Sequence, residues 1–124
     1  MTTTTEAWSP ARVASIAPDG QVAAAGLTLS TRGSWTGVGH RGDLLWGRCQ
    51  GSGKKSYQVC VDLSGPAFRC SCPSRKIPCK HVVGLMHLWS DGRAGEAEPA
   101  DFVRQWAQRH EARAAKAAAR ATGA

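Results

Sequence analysis

Cys70-Ser71-Cys72-Pro73-Ser74-Arg75-Lys76-Ile77-Pro78-Cys79-Lys80-His81 is the stretch that decides how this chain reads. Four soft or borderline metal ligands, Cys70, Cys72, Cys79 and His81, fall within twelve residues. Zinc takes four tetrahedral ligands from Cys sulfur and His nitrogen; a closed set of four marks a structural site, whereas a catalytic site keeps one position open. The Cys-x-Cys pair lies at the end of a predicted strand, where the chain can bend around an ion. The Cys-x-His pair lies at a predicted helix start, before regular hydrogen bonding fixes side-chain directions. Six residues join the pairs, so both can reach one ion, and Pro73 and Pro78 restrict the unfolded loop. The expected cofactor is one structural Zn2+. A competing reading is a redox dithiol, with Cys79 activated at a helix N-terminus. The usual redox spacing, Cys-x-x-Cys, does not occur.

Working outward, Ser56 to Leu63 is the clearest strand. Tyr57, Val59, Val61 and Leu63 alternate with Ser56, Gln58, Cys60 and Asp62 at period two. Leu44–Cys49 precedes it as a strand, joined by a flexible basic loop over 50–55. Ser64-Gly65-Pro66 turns the chain into a third short strand over 67–70. Beyond the ligands, Val82, Leu85, Met86 and Trp89 recur at helical spacing and predict a helix over 79–89, with Gly92 as a left-handed cap. Residues 1–8 read as a disordered lead-in. Ser9-Pro10 opens a short helix to about residue 17, and a second short helix runs from Asp19 to Ala25, ended by Gly26. Residues 32–43, with four glycines, read as a loop with at most a short strand over 34–38. These form an N-terminal helical and loop region over 9–43. Residues 91–98 are a linker, and Pro99 opens a final basic, Ala-rich helix over 99–121. The fold class predicted is α+β: a small zinc-stapled hairpin or three-strand sheet with a helix, flanked by short N-terminal helices and a C-terminal helix.

The 124-residue length suits one domain. No apolar run approaches a membrane span, and the first residues carry no secretory pattern, so a cytoplasmic chain is expected. In that compartment five cysteines are thiols or metal ligands rather than disulfides. The formal net charge is +7; losing three thiol protons and gaining a dication makes it +6, still basic. The segment 44–90 has little core of its own. Structural zinc contributes about 10–16 kcal/mol in finger peptides, so stripping the metal is expected to unfold this segment.

Cys-x-Cys, a short spacer and Cys-x-His resemble the SWIM zinc finger. The flanks Cys49-Gln50-Gly51-Ser52-Gly53-Lys54-Lys55, Tyr57-Gln58-Val59 and Asp62 through Lys80 are similar to those of bacterial SWIM zinc finger family proteins. The resemblance covers about residues 44–90. It implies a hairpin and a helix around one zinc on Cys70, Cys72, Cys79 and His81, no catalytic activity, and binding to DNA or to other proteins. Some SWIM proteins have Ala three residues after the ligand His; here Gly84 stands there, small enough to keep close packing.

Other residues read more plainly. Cys49 and Cys60 are partly buried small side chains. His40 sits in the glycine-rich loop, and His87 lies off the ligand face. Gly51-Ser52-Gly53-Lys54-Lys55-Ser56 lacks the first glycine and the following helix of a nucleotide P-loop. The basic residues gathered at the finger are Lys54, Lys55, Arg69, Arg75, Lys76 and Lys80. Of these, Lys54, Lys55, Arg75, Lys76 and Lys80 are the candidate phosphate contacts; the alternative is that they only balance the zinc site and solubilise the surface. In the last helix Phe102, Val103 and Trp106 form an apolar docking patch. Arg109, Arg113, Lys116 and Arg120 lie along one stripe, either a solvated tail or a second basic surface. The function expected is a non-catalytic zinc-ordered module binding DNA or a protein partner, with neither membrane nor small-molecule substrate. The alternatives are a purely protein–protein adaptor and a thiol redox protein.

Overall fold

The computed structural model describes residues 8–32, 34–50, 56–64, 67–72 and 78–122. Residues 1–7 of the expected lead-in over 1–8, 51–55 of the expected basic loop over 50–55, 65–66 of the expected turn over 64–66 and 73–77 between the ligand pairs lie outside the described residues. The element order is α1 (Pro10–Ser15), α2 (Gly20–Arg32), β1 (Trp35–Arg41), β2 (Leu44–Gln50), β3 (Ser56–Asp62), β4 (Ala67–Cys70), α3 (Lys80–Ser90) and α4 (Asp101–Thr122). The four strands form one antiparallel meander in the order β1-β2-β3-β4. The α+β class stands as expected, with one more strand.

That strand, β1, lies where the sequence suggests mostly loop. Its glycines obscure the alternation, and each has a local cause. Gly37 has φ +58° at the irregularity between Thr36 and Gly39, and Gly42 has φ +57° in the turn to β2; both are left-handed conformations that glycine adopts freely. Gly39 lies opposite Trp46, and a Cβ there would stand 2.9 Å from the indole. The outer edge of β1 is covered too. The His40 N–H donates to Gly95 O, the Ala97 N–H donates to His40 O, and His40 Nδ1 lies 2.6 Å from Ala94 O. The expected linker is therefore partly a strip laid along β1, which occupies an otherwise unpaired sheet edge.

The N-terminal helices also differ from expectation. Ser9 caps α1, its Oγ accepting from the Arg12 N–H, as its sequence predicts. Asp19 caps α2, accepting from the Val22 N–H. The second helix does not stop at Gly26 but runs on to Arg32. Gly26 is there because α3 crosses at that point: a Cβ would come within 2.6 Å of Val83 Cβ. Gly84 is the matching position on α3, facing Gly26 O and Trp35. Trp8, assigned by sequence to the lead-in, is buried, with its ring edge against Trp89 and the Arg12 guanidinium 3.9 Å from its centroid.

Two cores result, one on each face of the sheet. Leu45, Val59, Val61 and Leu63 point to the α3 face and pack with Val82, Val83, Leu85, Met86 and Trp89; Val13 of α1 and Val22 of α2 complete the cluster. α3 is enclosed by the sheet on one side and α1 and α2 on the other, so His81 through Trp89 are all buried. On the opposite face Trp46 and Cys60 meet Val103 and Trp106 of α4. Sheet pleating sends alternate side chains to opposite faces, so the residues alternating with Val59 and Val61 become core only because α4 covers them. α4 starts at Asp101, two residues after Pro99. Among the described residues no helix is long and apolar enough to cross a membrane.

Candidate metal centre

The metal ligands come from two structural ends that the fold brings together. Cys70 closes β4, and Cys72 follows it. Ser71 between them is fixed to the neighbouring strand: its N–H donates to Gln58 O, and its Oγ accepts from the Gln58 N–H at 2.9 Å. The strand ladder thus continues through a side chain where β4 itself has ended, and it holds the Cys-x-Cys bend against the sheet. Cys79 is the N-cap of α3, in extended conformation, and His81 is the second helical residue. Ser71 holds the Cys-x-Cys bend through tertiary pairing, and no local pattern in the sequence announces it.

The four donor atoms all lie within 4.8 Å of one another. Cys70 Sγ is 3.7 Å from His81 Nδ1, and Cys79 Sγ is 3.8 Å from the same nitrogen. A tetrahedral zinc with bond lengths of about 2.3 Å to sulfur and 2.0–2.1 Å to nitrogen separates S and N by about 3.6 Å. The observed separations fit that geometry with Nδ1 turned toward the sulfurs. Cys79 and His81 are buried and Cys70 and Cys72 half-buried. The Tyr57 ring lies beside His81, centroids 4.9 Å apart. Cys70, Cys72, Cys79 and His81 are positioned to bind one zinc ion.

The electrostatics suit a cation. A hydrogen bond from Cys70 holds the Cys79 thiol well below its ordinary range, with further help from His81 and the Val82 N–H. The same hydrogen bond, with burial, pushes Cys70 up. Zinc would displace thiol protons as it binds.

Lys80, between the two ligands of the second pair, is exposed, as is Arg69 on β4. The candidate contacts Lys54, Lys55, Arg75 and Lys76 lie outside the described residues. The two remaining cysteines are more deeply placed than expected: Cys49 is 0% and Cys60 1% exposed. Burial raises both thiols, Cys60 to about 12. His40 ties down the strip along β1. His87 is buried, its Nε2 has no hydrogen-bond partner among the described residues, and burial lowers its pKa.

The SWIM zinc finger family model matches residues 59–89. The match takes in all four ligands, most of β3, β4 and nearly all of α3; it is narrower than the span over which the sequence shows a resemblance. No curated protein matches the chain, and neither does any solved structure.

Proposed function

We propose that this chain is a zinc-stapled binding module whose zinc end holds the phosphate backbone of nucleic acid, DNA in the first instance, with no catalytic role. The observation that carries this reading is a charge imbalance around the finger. Between residues 44 and 90 there are seven Lys and Arg (Arg48, Lys54, Lys55, Arg69, Arg75, Lys76 and Lys80) and one acidic residue, Asp62. Three thiolates and one dication leave the zinc site with a single net negative charge. Balancing that site and Asp62 accounts for two cations, and five remain. Neutralisation of the site alone does not require them.

Their placement along the chain supports the same reading. Lys80 is exposed at the first turn of α3, between Cys79 and His81. Arg75 is three residues from Cys72 and Lys76 three from Cys79, so chain length alone keeps each within about 11 Å of a ligand residue. Lys54 and Lys55 belong to the segment joining Gln50 to Ser56, next to Tyr57 and its contact with His81. Zinc would fix a basic surface that the unfolded chain lacks, and phosphate contacts confer affinity without reading sequence.

The test is a titration of zinc-loaded protein with labelled duplex and single-stranded DNA at two salt concentrations. Each neutralised phosphate contributes about 0.7–0.9 to the log–log salt slope. A slope of about three or more, reduced when Lys54, Lys55, Arg75 and Lys76 are reversed to Glu, supports the reading. Absence of binding near ~50 mM salt overturns it and leaves the zinc end as a protein-contact surface.

A further inference from the structure

The metal site and its basic surroundings leave the C-terminal helix unused. α4 is 22 residues long, about 33 Å, and only its first half is engaged with the sheet. Val103 and Trp106 are buried against Trp46 and Cys60, Trp106 stacks on His110 with ring centroids 5.3 Å apart, and His110 Nε2 reaches Asp62 Oδ2 at 3.2 Å. From there the helix continues to Thr122, a further 18 Å or so. Past His110, Glu111, Ala112, Arg113 and Lys116 are exposed.

The cations of this part are arranged in a way that a solvated tail does not require. At 100° per residue, Arg109, Arg113, Lys116 and Arg120 fall within an arc of about 60°. The one acid between them, Glu111, lies on the other side of the helix, beside the cavity bordered by Asp43, Asp62 and His110. Seven of the other positions from 112 to 121 are alanine. Solubility would be served equally well by charges spread around the helix. The helix dipole favours cations only in the last turn, which accounts for Arg120 and not for Arg109 or Arg113. Like charges three and four residues apart also weaken a helix, so this arrangement works against the element that carries it. Arg113 and Lys116 form no ion pair among the described residues, unlike Arg41 and Arg104, which share Glu98.

We infer that the overhanging half of α4 is a second polyanion-binding surface, a straight cationic edge that lies along the phosphate backbone of duplex DNA. Its partner follows from its chemistry. Successive cations rise about 4.5–6 Å along the axis, matching a linear array of phosphates rather than a single anion. Contacts of these cations with phosphates confer affinity without reading sequence. α4 lies on the opposite face of the sheet from α3, and this surface is separate from the zinc end. The inference rests on the nucleic-acid reading above and adds a second contact to it.

The experiment compares zinc-loaded wild type, the α4 variant Arg113→Gln/Lys116→Gln/Arg120→Gln, and the zinc-end variant with Lys54, Lys55, Arg75 and Lys76 reversed to Glu, each titrated with duplex DNA of two unrelated sequences. Gln, Lys and Arg are near-equal helix formers, so the α4 variant keeps its helix; unchanged far-UV circular dichroism and zinc content verify this. The expected result is a fall in salt slope of about two to three in the α4 variant, equal for both sequences. An unchanged slope in the α4 variant, with binding lost in the zinc-end variant, overturns the α4 surface and leaves the zinc-end reading intact. Loss confined to the α4 variant overturns the zinc-end reading and retains the helix. Wild type that binds neither duplex overturns both.

Discussion

Replacing Gly26 by Ala puts the helix crossing on which the α3 face of the core depends to a direct test. In an exposed helix interior this change gains up to about 1 kcal/mol, because glycine is the poorer helix former. Here the added methyl would meet Val83 Cγ1, lie 2.6 Å from Val83 Cβ and lie 3.2 Å from the Gly84 nitrogen. The first obstacle is a β-branched side chain held by its own helix, and the last is backbone, so neither can rotate away. The helices must separate by roughly an ångström, and overpacking of this kind costs about 1–3 kcal/mol. A separation also loosens Leu29 and Trp35, which close the same crossing around Gly84. The net expectation is destabilisation by about 1–2 kcal/mol, or a melting temperature lower by about 4–10 °C for a domain of this size. Gly84→Ala is the control. Its methyl would meet Gly26 O at 3.1 Å and Leu29 Cβ at 3.2 Å, a shift of a few tenths of an ångström that the helix-propensity gain offsets within about 1 kcal/mol. Thermal and urea unfolding of the zinc-loaded proteins would measure both. Stabilisation by Gly26→Ala, or an effect no larger than that of Gly84→Ala, would refute the claim that α2 and α3 cross in contact at this point.

Other expectations follow from buried groups. His87 is buried, with an Nε2 unpartnered among the described residues and a lowered pKa, so its folded form resists protonation. That contribution is present above the unfolded value and is lost as pH falls below about 6.5. Asp91 and Arg93 line the adjoining cavity, and His87→Leu should flatten the acid limb of a stability–pH curve relative to wild type without loss of stability at pH 7; an identical acid limb would count against it. Cys60, raised to about 12 by burial, has the opposite sign. Its contribution is intact below the unfolded thiol pKa of about 8.5 and is lost as pH rises from there toward 12, so in the zinc-loaded protein it should resist alkylation at pH 8. Mass spectrometry that finds Cys60 of the zinc-loaded protein modified as fast as in the urea-unfolded chain would contradict this. Trp106→Ala should cost about 3–5 kcal/mol and release α4, seen as lost helix signal; a smaller cost with α4 retained would show that Trp106 does not anchor it.

The sequence is informative wherever structure is set by nearby residues. The ligand set is confined to twelve positions, and the alternation of Tyr57, Val59, Val61 and Leu63 is a property of one strand, so both can be read directly. The apolar patch of Phe102, Val103 and Trp106 is visible as well, since it repeats within one turn. β1 is not visible, because its glycines answer to partners far along the chain: Gly39 yields to Trp46, and His40 holds the strip at Gly95–Ala97. Gly26 resembles a helix stop for the same reason, although α3 is what requires it. The full burial of Cys60 depends on α4 lying across the outer face of the sheet, which period two in β3 cannot indicate. Ser71 and its paired hydrogen bonds to Gln58 exist only once β3 and β4 are in register.

Zinc content tests the tetrahedral set of Cys70, Cys72, Cys79 and His81 most directly. Wild type and the variants Cys70→Ser, Cys72→Ser, Cys79→Ser and His81→Ala would be dialysed against a competing chelator of moderate affinity, and zinc would be counted per chain. The expected result is one zinc per wild-type chain and a marked loss in each of the four variants, with Cys49→Ser and Cys60→Ser retaining the metal. A wild-type chain that holds no zinc, or a full zinc complement in any one of the four ligand variants, would contradict it.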